Sequence, residues 1–158
     1  MHESEISEAP GNQPIARILV ATDFSAQAET ALCWAQRFSA AFGCKLILLH
    51  VIDVFGLAET SCHMIGSDFL PVLRDQARDN MHRWHERVPQ AEALIREGSP
   101  RPMIVDAAAE LRCQMIVMGT HGRSGLAHLL LGSVAEYVVR HSKVPVLTVG
   151  MPAMPQKS

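Results

Sequence analysis

Two stretches of this sequence gather residues suited to holding a phosphate or turning a chain tightly. The richer one is Gly119-Thr120-His121-Gly122-Arg123-Ser124-Gly125, in which glycines flank a fixed positive charge at Arg123. Glycine reaches backbone conformations closed to other residues and lets main-chain N–H groups come close to an anion. Further on, Ser133-Val134-Ala135-Glu136 matches a capping box and puts a helix start at Gly132-Ser133. A helix start carries unpaired N–H groups and partial positive charge, a ready site for phosphate. Thirteen positions separate Gly119 from Gly132. The loop is not a Walker A sequence, because no G-K-[ST] closes it, and it lacks the G-x-G pair of the usual dinucleotide fingerprint. A plain tight turn followed by a capped helix fits the same spacing. The second stretch is Thr22-Asp23-Phe24-Ser25, where Asp23 taken alone reads as a cap for the helix that follows.

Other reactive side chains carry weaker patterns. His121, inside the loop, could orient a water for hydrolysis, or be an exposed loop histidine; in phosphoryl transfer, positioning counts for more than one titratable group. Cys62, His63, His82 and His85 suggest zinc, but the Cys62-His63 half is adjacent rather than spaced as ligands are, so a structural role is expected. Met64, Met81, Met103, Met115 and Met118 read as core filler rather than a copper box. Asp106 and Glu110 read as a solvated helix edge.

Those loops need elements to hold them. Ile18-Leu19-Val20-Ala21 is a short apolar run, as expected of a strand buried on both faces. A helix stripe follows at Ala28, Ala31, Leu32, Ala35, Phe38 and Phe42, stopped by Gly43. Leu46–Val51 is a second buried strand. A helix is expected over Asp68–Val88, with Leu70, Leu73, Ala77, Met81, Trp84 and Val88 on one stripe and Pro71 in its tolerant first turn. Ala93-Leu94-Ile95 makes a weak third strand. Ser99-Pro100 opens a helix through Leu111, with the hydroxyl as cap. Met115–Met118 is the fourth strand, and a helix to His141 leads to a last strand, Val144–Val149. The alternation predicts an α/β fold: a single open, parallel, five-stranded sheet with helices on both faces. In such a sheet ligands bind beyond the carboxyl ends of the strands, where the winding reverses. A reversal between strands one and four would put both loops on one crevice.

Composition bounds the possibilities. The 158 residues (17.3 kDa) suit one domain, expected over residues 15–150 between tails at 1–14 and 151–158. A 48% hydrophobic content excludes general disorder, and a formal charge of -2 argues against coating nucleic acid. No run approaches the roughly 18 apolar residues of a membrane span. The acidic N-terminus is unlike a secretory signal, and four irregularly spaced cysteines suit reduced, mostly buried thiols. A cytoplasmic protein is expected, with neither membrane nor nucleic acid as partner.

Together these residues resemble the universal stress protein family, whose nucleotide-binding members carry G-x2-G-x9-G-[ST] after the fourth strand. Here Gly119, Gly122, Gly132 and Ser133 complete it. Ile18–Ser25, Leu48–Asp53 and Val144–Val149 resemble other family segments in the same order, so the likeness spans about Ile18 to Val149. The resemblance implies a Rossmann-like fold with strand order 3-2-1-4-5 and a stress-response regulator that binds ATP, or AMP or ADP, with Mg2+ or Mn2+ on the phosphates. It implies that Ala21, Thr22 and Asp23 lie near ribose, adenine and any phosphate-bound metal, that Val51 meets the adenine, and that Met118 and Gly119 border the ribose. Gly122, Arg123, Gly132, Ser133 and Val134 would hold the phosphates. It implies a homodimer, often paired through the last strand, although Pro145 removes one ladder donor. No residue is assigned a catalytic role. Slow ATP hydrolysis or transfer, and a nucleotide-independent interaction module, stand as alternatives. The segment Phe55–Pro89 carries no family motif.

Overall fold

The computed structural model describes residues 14–56, 69–121 and 131–150. The strands are β1 (Arg17–Ala21), β2 (Lys45–Asp53), β3 (Glu92–Gly98), β4 (Met115–Gly119) and β5 (Val146–Val149). The helices are α1 (Ala26–Phe42), α2 (Phe69–Arg87), α3 (Pro100–Glu110) and α4 (Ser133–His141). All four strand pairings are parallel and the order is β3-β2-β1-β4-β5, as expected.

Alternate residues of the central strands feed two cores. Ile18, Val20, Leu46, Leu48 and Val117 pack with Ala31, Leu32 and Ala35 of α1 and with Met81 and Trp84 of α2. Leu19, Ala21, Ile47, Leu49, Ile116 and Met118 pack on the other side with Ile104, Ala107 and Ala108 of α3 and with Ala135 and Val138 of α4. Burial on both faces is why these strands are continuously apolar in sequence. The edge strand β3 instead carries charges that tie down its neighbours. Arg74 of α2 makes two hydrogen bonds to Glu97, and Arg96 makes two to Glu110 of α3. The guanidinium in each pair holds its carboxyl partner below the usual carboxylate range, chiefly by hydrogen bonding. Such exposed pairs add little stability, but charges blunt an open sheet edge.

The helix ends follow local chemistry, with two departures. Ser25 caps α1 by accepting from the Ala28 N–H at 3.3 Å, and Gly43 ends it in the left-handed conformation, φ 65°, as a helix-stopping glycine should. Ser99 does stand before α3, but its side chain makes no capping bond. At α4 the cap is Gly132, not Ser133, and no side chain caps it. The capping box therefore does not form, because Ser133 is already the first helical residue. β5 begins at Val146 rather than Val144; Pro145, just before it, gives its carbonyl to the Ile116 N–H.

Phe42 leaves the expected stripe and is 54% exposed. It is the last residue of α1, next to the Gly43 stop. Phe38 and Phe42 stack on each other there, with centroids 5.9 Å apart. Of the described cysteines, Cys44 and Cys113 are buried and Cys33 is exposed. Cys62 lies outside the described residues. Burial pushes the Cys113 thiol up to about 11 and also raises Cys44. Mass-spectrometric mapping after brief alkylation at neutral pH should find Cys33 modified and Cys44 and Cys113 untouched until the protein unfolds. Early labelling of Cys113 would contradict the packing described.

Candidate functional site

β1 and β4 are neighbours, yet the chain leaves them in opposite directions: α1 covers one face of the sheet and α4 the other. The two departing segments cannot both cover the gap between them. A cavity of about 280 Å³ opens there, beyond the carboxyl ends of the strands. Its apolar lining includes Ala21, Leu49, Val51, Pro100, Ile104 and Met118; its polar lining includes Thr22, Asp23, Thr120, His121 and Ser133.

On the β1 side, the backbone leaves the sheet in a tight, hydrogen-bonded turn. The Thr22 N–H donates to the Leu49 carbonyl at 2.9 Å, extending the β1–β2 ladder by one residue. The Thr22 hydroxyl, in the one buried polar residue among those described, accepts from the Phe24 N–H at 2.9 Å. Asp23 Oδ1 accepts from the Ser25 N–H at 3.0 Å. Capping of α1 thus falls to Ser25, and Asp23 is placed on the cavity wall instead of in the helix cap.

On the β4 side, the Thr120 N–H donates to the Val149 carbonyl and the Gly132 N–H donates to the Thr120 carbonyl at 2.8 Å. The second bond brings the start of α4 back beside the end of β4. The Glu136 N–H is the first of α4 to reach a helical carbonyl, that of Gly132. The N–H groups of Ser133, Val134 and Ala135 precede it, and these three residues line the cavity. His121 lies beside them, with Nδ1 3.0 Å from the Thr120 hydroxyl.

Nine residues expected at the site border this one cavity: Ala21, Thr22, Asp23, Val51, Met118, Gly119, Gly132, Ser133 and Val134. Gly122 and Arg123 lie outside the described residues. Sequence reasoning passed over Pro100 and Ile104, on the start of α3, because they read as an ordinary helix start and core stripe. The signal was available: α3 follows β3 directly, so its first turn sits at the carboxyl side of the sheet. Of the residues that suggested zinc, only His82 and His85 are described. His82 pairs with Glu86, His85 Nε2 bonds the Ala91 carbonyl, and Cys62 and His63 lie outside the described residues. Among the described residues no three metal-ligating side chains cluster, and no helix is long and apolar enough to cross a membrane.

An open, all-parallel sheet of order β3-β2-β1-β4-β5, with its winding reversal between β1 and β4, defines a Rossmann-like α/β protein. The sequence profile described as "Universal stress protein family" matches residues 14–150, and the chain belongs to that family. Among its relatives is universal stress protein MJ0577 of Methanocaldococcus jannaschii, 31% identical over 151 residues that cover 84% of this chain and 93% of that one. The solved structure of MJ0577 superposes with a TM-score of 0.80, covering 90% of this chain and all of that one. UspA from Lactobacillus plantarum follows at 26% identity and a TM-score of 0.72, covering 87% of this chain and 99% of that one. A universal stress protein solved in complex with cAMP is also 26% identical, with a TM-score of 0.66, covering 87% of this chain and 98% of that one.

Gly119 matters for packing as well as for its place on the cavity. A Cβ there would lie 3.0 Å from Gln27 Cβ and 3.3 Å from the Ala28 backbone nitrogen, in the first turn of α1. Gly119→Val should therefore push α1 away from β4 and cost about 1–3 kcal/mol. Differential scanning calorimetry should show the melting midpoint falling by several degrees; an unchanged midpoint would contradict the close approach.

Proposed function

We propose that this chain binds an adenine nucleotide, ATP with a divalent cation in the leading reading, in the crevice between β1 and β4. The observation that carries the reading is the pairing of an apolar slot with a helix start across one cavity. A purine is a flat apolar body, and Val51, Leu49, Ile104 and Met118 offer it a matching surface. Ala21, Thr22, Asp23 and Gly119 then stand at the ribose. The α4 N–H groups, from Ser133 and Val134 behind the Gly132 cap, meet the phosphates where partial positive charge favours them. Gly122 and Arg123, by their place in the sequence motif, complete the phosphate grip. The cAMP complex of a family relative supports the adenine part of this reading.

Asp23 is the one carboxylate among the described residues lining the cavity. That suits Mg2+ or Mn2+, which binds through one or two carboxylates plus phosphate oxygens and retains water, rather than in an all-protein cage. Asp23 would hold such an ion against the phosphates, where its charge would offset theirs. In this reading the chain is a cytoplasmic regulator: the nucleotide-bound state is favoured by the contacts it gains, and the population shift alters a surface that a partner reads. The edge strand β5, with Val146, Leu147 and Thr148 only partly covered, offers the ladder for a homodimer.

Calorimetric titration of nucleotide-stripped protein with ATP and magnesium should show saturable binding near one site per chain. Gly132→Val should weaken it at least tenfold while keeping the fold, since φ of -73° suits valine but its Cβ would lie 3.1 Å from the Thr120 carbonyl oxygen. An absence of binding by the wild-type chain at millimolar ATP would overturn the proposal. A second reading, slow ATP hydrolysis, is favoured by one observation: His121 lines the same cavity. Multiple turnover that His121→Ala abolishes, with ATP affinity retained, would establish it; single-site binding without turnover leaves the binder.

A further inference from the structure

The turn that brings Thr22 and Asp23 to the crevice is held from behind by three aromatic rings. None of the three, Phe24, His50 or Trp84, lines the cavity. Phe24 has φ of 62°, a left-handed conformation that a bulky residue keeps only when its surroundings over-determine it. Those surroundings are specific. The Phe24 ring lies 4.5 Å from the His50 ring, tilted by 36°, and 5.6 Å from the Trp84 ring, edge to face at 83°. Trp84 is buried in the core between α2 and the sheet, so it anchors the ring it touches.

The polar half of the support is equally direct. His50 Nδ1 stands 2.8 Å from the Thr22 carbonyl oxygen, which can only accept, so Nδ1 carries the proton and donates. Thr22 is thus gripped at both backbone groups by β2: its N–H by the Leu49 carbonyl and its C=O by the His50 side chain. The Phe24 N–H meets the Thr22 hydroxyl, and after the left-handed step at Phe24 the Ser25 N–H meets Asp23 Oδ1. In that arrangement Asp23 lines the cavity.

We propose that Phe24, His50 and Trp84 are positioning residues for the nucleotide, setting the Thr22–Asp23 turn without touching the ligand. The proposal rests on the reading of the crevice as an adenine-nucleotide site. It extends that site back to α2, so the affinity of the crevice depends on how α2 is seated.

The test uses the full chain and two different disruptions. Phe24→Gly accepts a positive φ but removes the ring, whereas His50→Leu removes the donor and leaves Phe24. Hydrogen exchange without ligand, read at the Phe24 and Ser25 amides, should quicken about tenfold or more in both, while the amides of β2 keep their protection. Titration with ATP and magnesium should show affinity lowered by about tenfold in both, on the scale of one lost hydrogen bond. His50→Asn, which keeps a donor at the reach of Nδ1, should return both readouts toward wild type. In an Asp23→Ala background the further loss from Phe24→Gly should shrink toward nothing, because the two act through one turn. Unchanged exchange at those amides, or equal losses with and without Asp23, would overturn the proposal. A wild-type chain that fails to bind ATP would overturn the crevice reading instead, and the exchange data would still decide whether the rings hold the turn.

Discussion

β1 is hydrogen-bonded along both edges, and the rest of the molecule is arranged around that pairing. Ala21, its last residue, is level with Leu49 of β2 on one side and with Met118 of β4 on the other. Parallel strands need crossovers that pack a helix back onto the sheet with one preferred hand. The chain grows from β1 toward β2 and β3 with α1 and α2 on one face, then returns past β1 to add β4 and β5 with α3 and α4 on the other. A strand paired on both sides whose neighbours wind in opposite senses leaves a gap beyond its carboxyl end. The register puts Ala21, Leu49 and Met118 together at that gap, so its floor is apolar because the sheet core is apolar.

The polar groups at the rim are backbone-defined rather than free to move. Thr22 extends the β1–β2 ladder, and the Gly132 N–H ties the start of α4 to Thr120, itself bonded to β5. The rim is therefore tied to three strands, and its N–H groups and carboxylate are preorganised by secondary structure. Gly119 and Gly132 allow this closeness: a Cβ on the first would crowd α1, and one on the second would crowd the Thr120 carbonyl. Glycines that read as phosphate-loop residues thus also serve the packing of the elements that form the site.

Chemical variety in this chain is concentrated away from the core. The central strands bury little but aliphatic carbon, while the edge strand β3 carries Arg96 and Glu97, each in an ion pair to a different helix. Two groups of aromatic residues have different uses. Phe24, His50 and Trp84 are packed behind the crevice turn, whereas Trp34, Phe38 and Phe42 follow one another along α1, with Arg37 over the Trp34 ring at 4.6 Å.

Much of this was legible in the residues. Short aliphatic runs fit strands buried on both faces, helix stripes have a period of their own, and the alternation of the two indicates a parallel α/β sheet. The glycine spacing and the capping residues marked both walls of the crevice, and nine of the expected site residues do border one cavity. What the sequence could not decide were questions of distance. Asp23 or Ser25 could each cap α1, and Ser133 or Gly132 could each cap α4; only the path of the backbone assigned those roles. Phe42 fitted its stripe by period, but at the last residue of α1 it is left exposed. Pro100 and Ile104 line the cavity although β2 stands between β3 and β1, a proximity that folding supplies. The left-handed Phe24 packs on the rings of His50 and Trp84, 26 and 60 positions away. Periodicity is a local property and survives in a sequence; contact between distant residues is made by folding, and the fine geometry of this site is made of such contacts.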